Sequence, residues 1–129
     1  MDPIPVLLVD DNPVFLRLIT LLLQQRDCFV VVGTAANGEE CLARAQSLQP
    51  RVVVNDLGTP GLTGLQTIAR LRETMPHVGI VATSLLRASG YREAALAVGA
   101  DALVPKAALA TDLVPAIRQV ERRACTSGT

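Results

Sequence analysis

Short apolar runs alternate with stretches of helical period along the whole chain. Ile4 to Val9 is the first run, rich in β-branched residues and closed by Asp10 and Asp11, and it reads as a buried strand. Asn12 is a favoured N-cap and Pro13 a favoured first helical residue, so a helix is expected from there to about Arg26. Its apolar positions, Val14 to Leu23, cover a wider arc than a simple surface helix needs. That arc has two readings. Either it packs between a sheet and the last helix, or Leu16, Leu23 and their neighbours form a docking surface.

The alternation continues. Phe29 to Thr34 reads as a second strand, and Asn37 with Glu40 has capping-box spacing for a helix to about Leu48, ended by Pro50. Val52 to Asn55 is apolar almost throughout, as expected for a strand covered on both faces. Thr63 and Gln66 cap another helix, with Ile68, Leu71 and Met75 on its period and Pro76 beyond it. Val78 to Thr83 is a fourth strand, and a helix from about Ala88 to Val98 ends on Gly99. Ala102 to Val104 is a short fifth strand, expected to stop at Pro105, which cannot donate to a ladder. Pro115 is tolerated only near a helix start, so the last helix is expected from a Thr111 cap, at Asp112, to about Arg123. Five strands alternating with five helices predict a parallel sheet wrapped on both faces.

Composition narrows the function. The 129 residues suit one domain, and 12 cations balance 12 acids. Zero net charge gives no long-range field for nucleic acid or an anionic membrane, and Phe15, Phe29 and Tyr91 are too few for a base-stacking surface. No apolar run is long enough to span a membrane, and Met1-Asp2-Pro3 does not open a signal peptide. Cys28, Cys41 and Cys125 are widely spaced and read as free thiols in a reducing cytoplasm, without a zinc site.

In such a sheet ligands bind at the carboxyl edge. The residues that end the strands are Asp10 and Asp11, Asp56, Ser84 and Lys106; the second strand ends in Ala35-Ala36 and contributes nothing. Converging carboxylates call for a cation, and hard oxygen ligands suit Mg2+. A carboxylate is also a nucleophile towards phosphorus. Each group thereby has a role in one event, phosphoryl transfer onto Asp56, with Lys106 pairing one phosphoryl oxygen and Ser84 hydrogen-bonding another.

Val9-Asp10-Asp11, the stretch Asp56-Leu-Gly-Thr-Pro-Gly-Leu-Thr-Gly64, Ser84, Gly99-Ala100-Asp101 and Lys106 together resemble the receiver domain of two-component response regulators. The spacings of Asp56, Ser84 and Lys106 are similar to those of the branch that usually carries a C-terminal helix-turn-helix. The resemblance implies a flavodoxin-like, doubly wound (βα)5 sandwich with strand order 2-1-3-4-5. Residues 1–123 would be the receiver domain and 124–129 a disordered tail or the start of a linker. It also implies that Asp56 is the phospho-acceptor, that Asp10, Asp11, Asp56 and the Gly58 backbone carbonyl hold Mg2+, or Mn2+ in its place, and that Lys106 binds phosphate. Ser84 is the implied switch hydroxyl. Implied partners are a sensor histidine kinase and a second copy of the chain, with no direct binding of nucleic acid or membrane by this domain. It would be a cytoplasmic phosphoprotein serving transcription regulation, not an enzyme beyond its own phosphorylation and dephosphorylation.

The chain departs from the family pattern at several points. Thr59 stands where Met is usual, and Leu103 where an aromatic switch residue is usual. Pro105 directly before Lys106 is unusual, and the proline that often follows the lysine is Ala107 here. Gly58 and Leu86 carry no polar group to position a hydrolytic water, so a long-lived phosphorylated form is expected. Three rival functions share parts of this pattern. A flavodoxin-like electron carrier needs a phosphate-binding loop where Asp10 and Asp11 stand. A dehalogenase-type phosphatase spaces its paired acids differently. A receiver-like module that signals without phosphorylation does not need the full set of Asp10, Asp11, Asp56, Ser84 and Lys106.

Overall fold

The computed structural model describes residues 2–58, 63–85 and 89–127. Its strands are β1 (Ile4–Val9), β2 (Phe29–Ala35), β3 (Val52–Asp56), β4 (Gly79–Ser84) and β5 (Ala102–Pro105). They form one parallel sheet in the order β2-β1-β3-β4-β5, as the family resemblance implied. The helices are α1 (Pro13–Gln24), α2 (Gly38–Leu48), α3 (Gly64–Thr74), α4 (Ser89–Ala97) and α5 (Leu109–Ser127). Residues 86–88, where the start of α4 was expected, and 59–62, with Thr59, lie outside the described residues.

Strand alternation divides the core into two layers. Val6, Leu8, Val54, Val81 and Val104 face α1 and α5, where they meet Ile19, Leu23, Leu113, Ile117 and Val120. Leu7, Val53, Ile80, Ala82 and Leu103 face the other helices, against Cys41, Ala45, Ile68, Leu71 and Ala95. The wide apolar arc of α1 is split by this packing. Ile19 and Leu23 are buried in the core, while Val14, at 69% exposure, Leu18 and Leu21 remain on the surface. Leu23 therefore has no part in a docking face.

The local caps are the ones the sequence specifies. Asn12 accepts from the Val14 N–H at 2.9 Å, Asn37 from the Glu40 N–H at 2.9 Å, and Thr63 and Gln66 close a reciprocal capping box. Gly99 takes a φ of 121°, and the Ala100 N–H reaches back to the Ala95 carbonyl at 2.9 Å, ending α4.

β5 and the last helix differ from expectation at three boundaries. Pro105 is the last residue of β5, paired in register with Ser84; β5 is an edge strand, so the missing N–H leaves no ladder bond unmade. The last helix begins at Leu109 and not at Asp112, after a 3-10 turn over Lys106–Ala108, and it carries Pro115 inside it. Leu109, Leu113 and Ile117 make one buried stripe across the proline, and burying Leu109 offsets part of the cost of about 3 kcal/mol for an interior proline. The helix also runs past Arg123 to Ser127, through the start of the segment expected to be disordered; no Pro or Gly interrupts it between Pro115 and Gly128.

Candidate functional site: the acidic carboxyl edge

β1 is paired with β2 as far as Val9, and the Asp10 N–H continues the ladder to the Ala35 carbonyl at 3.0 Å. This fixes Asp10 at the end of the strand with its side chain buried. Asp10 Oδ1 accepts from the Asn12 N–H at 2.9 Å, tying the carboxylate to the cap of α1. Asp11, next in the chain, is exposed. β3 carries Asp56 as its last residue, in register with Thr83, and the following Leu57 N–H bonds the Thr83 carbonyl at 2.9 Å. Single ligand oxygens from Asp10, Asp11 and Asp56 all lie within 4.8 Å of one another.

Lys106 completes the edge. It opens the 3-10 turn after β5, and its side chain is 3% exposed. Its Nζ lies 2.7 Å from Asp10 Oδ2, an ion-pair contact to an oxygen with no hydrogen-bond partner among the described residues, and 3.4 Å from Asp56 Oδ1. The ammonium also sits over the Phe15 ring of α1, 4.0 Å from its centroid. One buried cation thus serves two buried carboxylates. Burial first, and the neighbouring Asp10 charge second, push the Asp56 carboxyl above its usual range, while Lys106 and the Gly58 backbone pull the other way.

Ser84 ends β4, buried, beside Pro105 of β5. By strand alternation it shares a sheet face with Ala82, whose register partner is Leu103. Leu103 is itself buried, and its carbonyl accepts from Arg92 of α4 at 3.3 Å. Gly58 is exposed in the turn after β3, and a Cβ placed on it would come 3.6 Å from Asp56 Oδ2. Leu86 lies outside the described residues.

The turn after Asp56 is cinched at its base. Asn55 Nδ2 donates to the Gly64 carbonyl at 3.3 Å, and Gly64 is pressed so closely on Leu57 that a Cβ would meet Leu57 Cα at 2.3 Å. Asn55 Oδ1 is buried with no hydrogen-bond partner among the described residues. Sequence reasoning passed over Asn55, although a polar residue directly after the run Val52–Val54 is a visible signal. It also passed over Phe15, whose contact with Lys106 joins parts of the chain far apart in sequence, and over the fact that Lys106 is the only lysine in the chain.

The acidic cluster fits a hard divalent cation. Its donors are carboxylate oxygens, Asp11 opens to solvent, and one lysine leaves the buried acids only partly compensated. Fold and site together define a doubly wound α/β protein whose carboxyl edge collects a metal-competent acidic cluster and a buried lysine. The chain belongs to the response regulator receiver domains, whose family model matches residues 6–118. As such it is not a conventional enzyme. It is 36% identical over 117 residues to the response regulator GacA of Pseudomonas protegens, covering 91% of this chain and 55% of that protein. The chain thus spans about half the length of such curated relatives. Among solved structures, a LuxR-family two-component response regulator from Aurantimonas sp. superposes with a TM-score of 0.88 at 27% identity, covering 93% of this chain and 86% of that one. CheY in a CheX–CheY–BeF3–Mg2+ complex from Borrelia burgdorferi gives a TM-score of 0.85 at 22% identity, covering 92% and 89%, a likeness of fold alone. No helix among the described residues is long and apolar enough to cross a membrane.

Proposed function

We propose that Asp56 accepts a phosphoryl group, from a sensor histidine kinase or a small phosphodonor, and that this changes how the chain meets a partner or an output domain. The observation that carries the reading is the pair of buried carboxylates, Asp10 and Asp56, sharing the buried ammonium of Lys106 beside the exposed Asp11. Asp10, Asp11, Asp56 and the Gly58 carbonyl would hold Mg2+, or Mn2+ in its place. A cation bound there supplies positive charge against the carboxylates and the incoming phosphoryl oxygens; the CheY complex from Borrelia burgdorferi pairs Mg2+ with BeF3.

An Asp56 oxygen attacks phosphorus, the bond from phosphorus to the donor's imidazole nitrogen breaks, and the electron pair leaves with the imidazole. Lys106 exchanges its contact with Asp56 for a phosphoryl oxygen. Ser84 donates its hydroxyl to another, and its shared sheet face with Leu103 offers a route for that movement towards α4 without an aromatic switch. With no polar side chain at Gly58 or Leu86 to hold a water, the acyl phosphate is long-lived; decay within seconds would contradict this. In a whole regulator resembling GacA, the receiver would work in the cytoplasm and control a helix-turn-helix output, itself binding no nucleic acid.

Mass spectrometry after incubation with acetyl phosphate and Mg2+ tests the reading. The expected result is one added phosphoryl group, absent in Asp56→Asn. No adduct, or one that persists in Asp56→Asn, favours a receiver-like interaction module that signals without phosphorylation.

A further inference from the structure

Among the described residues, groups of two kinds meet the Lys106 ammonium. Asp10 and Asp56 hold it through charge, as ion pairs at 2.7 and 3.4 Å. Phe15 meets it with the face of a ring, 4.0 Å from centroid to Nζ. With the side chain 3% exposed, water does not compete for the ammonium, the condition under which cation–π attraction is strongest. The ring is held by α1, whose cap residue Asn12 is bound through its own N–H to the other oxygen of Asp10. The first turn of α1 therefore sets both the Asp10 carboxylate and the ring against one ammonium.

We propose that Phe15 is a positioning residue for phosphoryl transfer, acting through Lys106. The inference rests on the reading of Asp56 as phospho-acceptor. In the resting edge Lys106 lies closer to Asp10 than to Asp56. To meet a phosphoryl group on Asp56 it must shift while staying buried. A carboxylate holds an N–H in a preferred direction, whereas a ring face attracts the positive charge without a directional lone pair. Phe15 thus supports the ammonium along that shift without competing for its donors. A leucine would fill comparable space but offer no negative face.

Because Lys106 is the only lysine, the chain grown with 13C-labelled lysine gives one set of lysine side-chain signals. The ring should shift the Lys106 Cε protons upfield, and Phe15→Leu should abolish that shift. Phosphorylation by acetyl phosphate with Mg2+ should slow about thirtyfold in Phe15→Leu, the scale of a desolvated cation–π contact, and stay near wild type in Phe15→Tyr. Phe15→trifluorophenylalanine retains a ring but weakens its negative face, so it should be slow as well and keeps the test open if Phe15→Leu misfolds. An unshifted wild-type Lys106 signal overturns the proposal. So does a trifluorophenylalanine variant that phosphorylates at the wild-type rate, since packing alone would then account for Phe15. If the wild-type chain takes no phosphoryl group, the Asp56 reading fails with the rate claim, and the proton shift still decides the Phe15–Lys106 contact.

Discussion

Replacing Asp56 with asparagine should make the metal-free chain more stable. The 3.4 Å contact of Asp56 with Lys106 is worth about 5 kcal/mol of Coulomb attraction at an effective dielectric of about 20. Against it stands Asp10, with ligand oxygens of the two acids within 4.8 Å, a repulsion of at least about 3.5 kcal/mol on the same basis. The remainder, about 1.5 kcal/mol, does not cover the several kcal/mol that burying a carboxylate costs. Asparagine removes the charge and leaves the Asp10–Lys106 pair, at 2.7 Å, electrically balanced. A net gain of about 1–2 kcal/mol is expected, or about 4–7 °C in melting temperature for 129 residues.

The pH dependence has a definite sign. Asp56 titrates higher in the folded chain than its ordinary value. The metal-free native state therefore binds more protons than the unfolded state between the ordinary carboxyl value, about 3.9, and the raised one, and stability falls as pH rises through that window. The advantage of Asp56→Asn should be full above that window and shrink as the pH drops through it. Thermal melts by circular dichroism, in EDTA and then in Mg2+, measure both effects; Mg2+ should raise the wild type more than the variant. A variant no more stable than wild type in EDTA above that window would refute the reasoning.

Three other substitutions or reagents probe the frame around the site. Gly64→Ala drives a Cβ into Leu57 backbone and should cost about 3 kcal/mol in a urea melt, with weaker Mg2+ binding by titration. Pro115→Ala restores an interior helical N–H and should add about 1–2 kcal/mol, the helix penalty of about 3 less about 1 for the stiffer unfolded chain. Cys41 is buried, with its thiol pushed up to about 12, so Ellman's reagent should reach Cys28 in the native chain and Cys41 only on unfolding.

What the sequence disclosed is what local chemistry decides. Asn12, Asn37 and Thr63 cap helices within a few residues of themselves, and each helix starts where its cap implies. The acids at the ends of β1 and β3 were legible because a parallel sheet brings its carboxyl ends to one edge. The start of α5 was not, because Leu109 is decided by burial against distant strands, which outweighs the local signal of Pro115. The Arg72 clamp was equally hidden. Its guanidinium joins the Gly99 carbonyl, the Val78 carbonyl and Asp101, and Asp101 in turn accepts from the Ile80 N–H at 2.9 Å. No periodicity announces such a contact between the end of α3 and the loop after α4. Phe15 escaped for the same reason, being read as one more apolar position on α1.

The lone lysine has a practical consequence for the chemistry of the donor. Acyl phosphates are mixed anhydrides, and they acylate exposed amines as well as phosphorylating carboxylates. All other formal side-chain cations of this chain are arginines, which such donors leave intact, and the one ε-amine is enclosed by Asp10, Asp56 and Phe15. Acetylation of Lys106 can therefore proceed only when that enclosure opens. Acetyl gain at this residue becomes a clock for the breathing of the edge, recorded in the same spectrum as the phosphoryl gain proposed for Asp56.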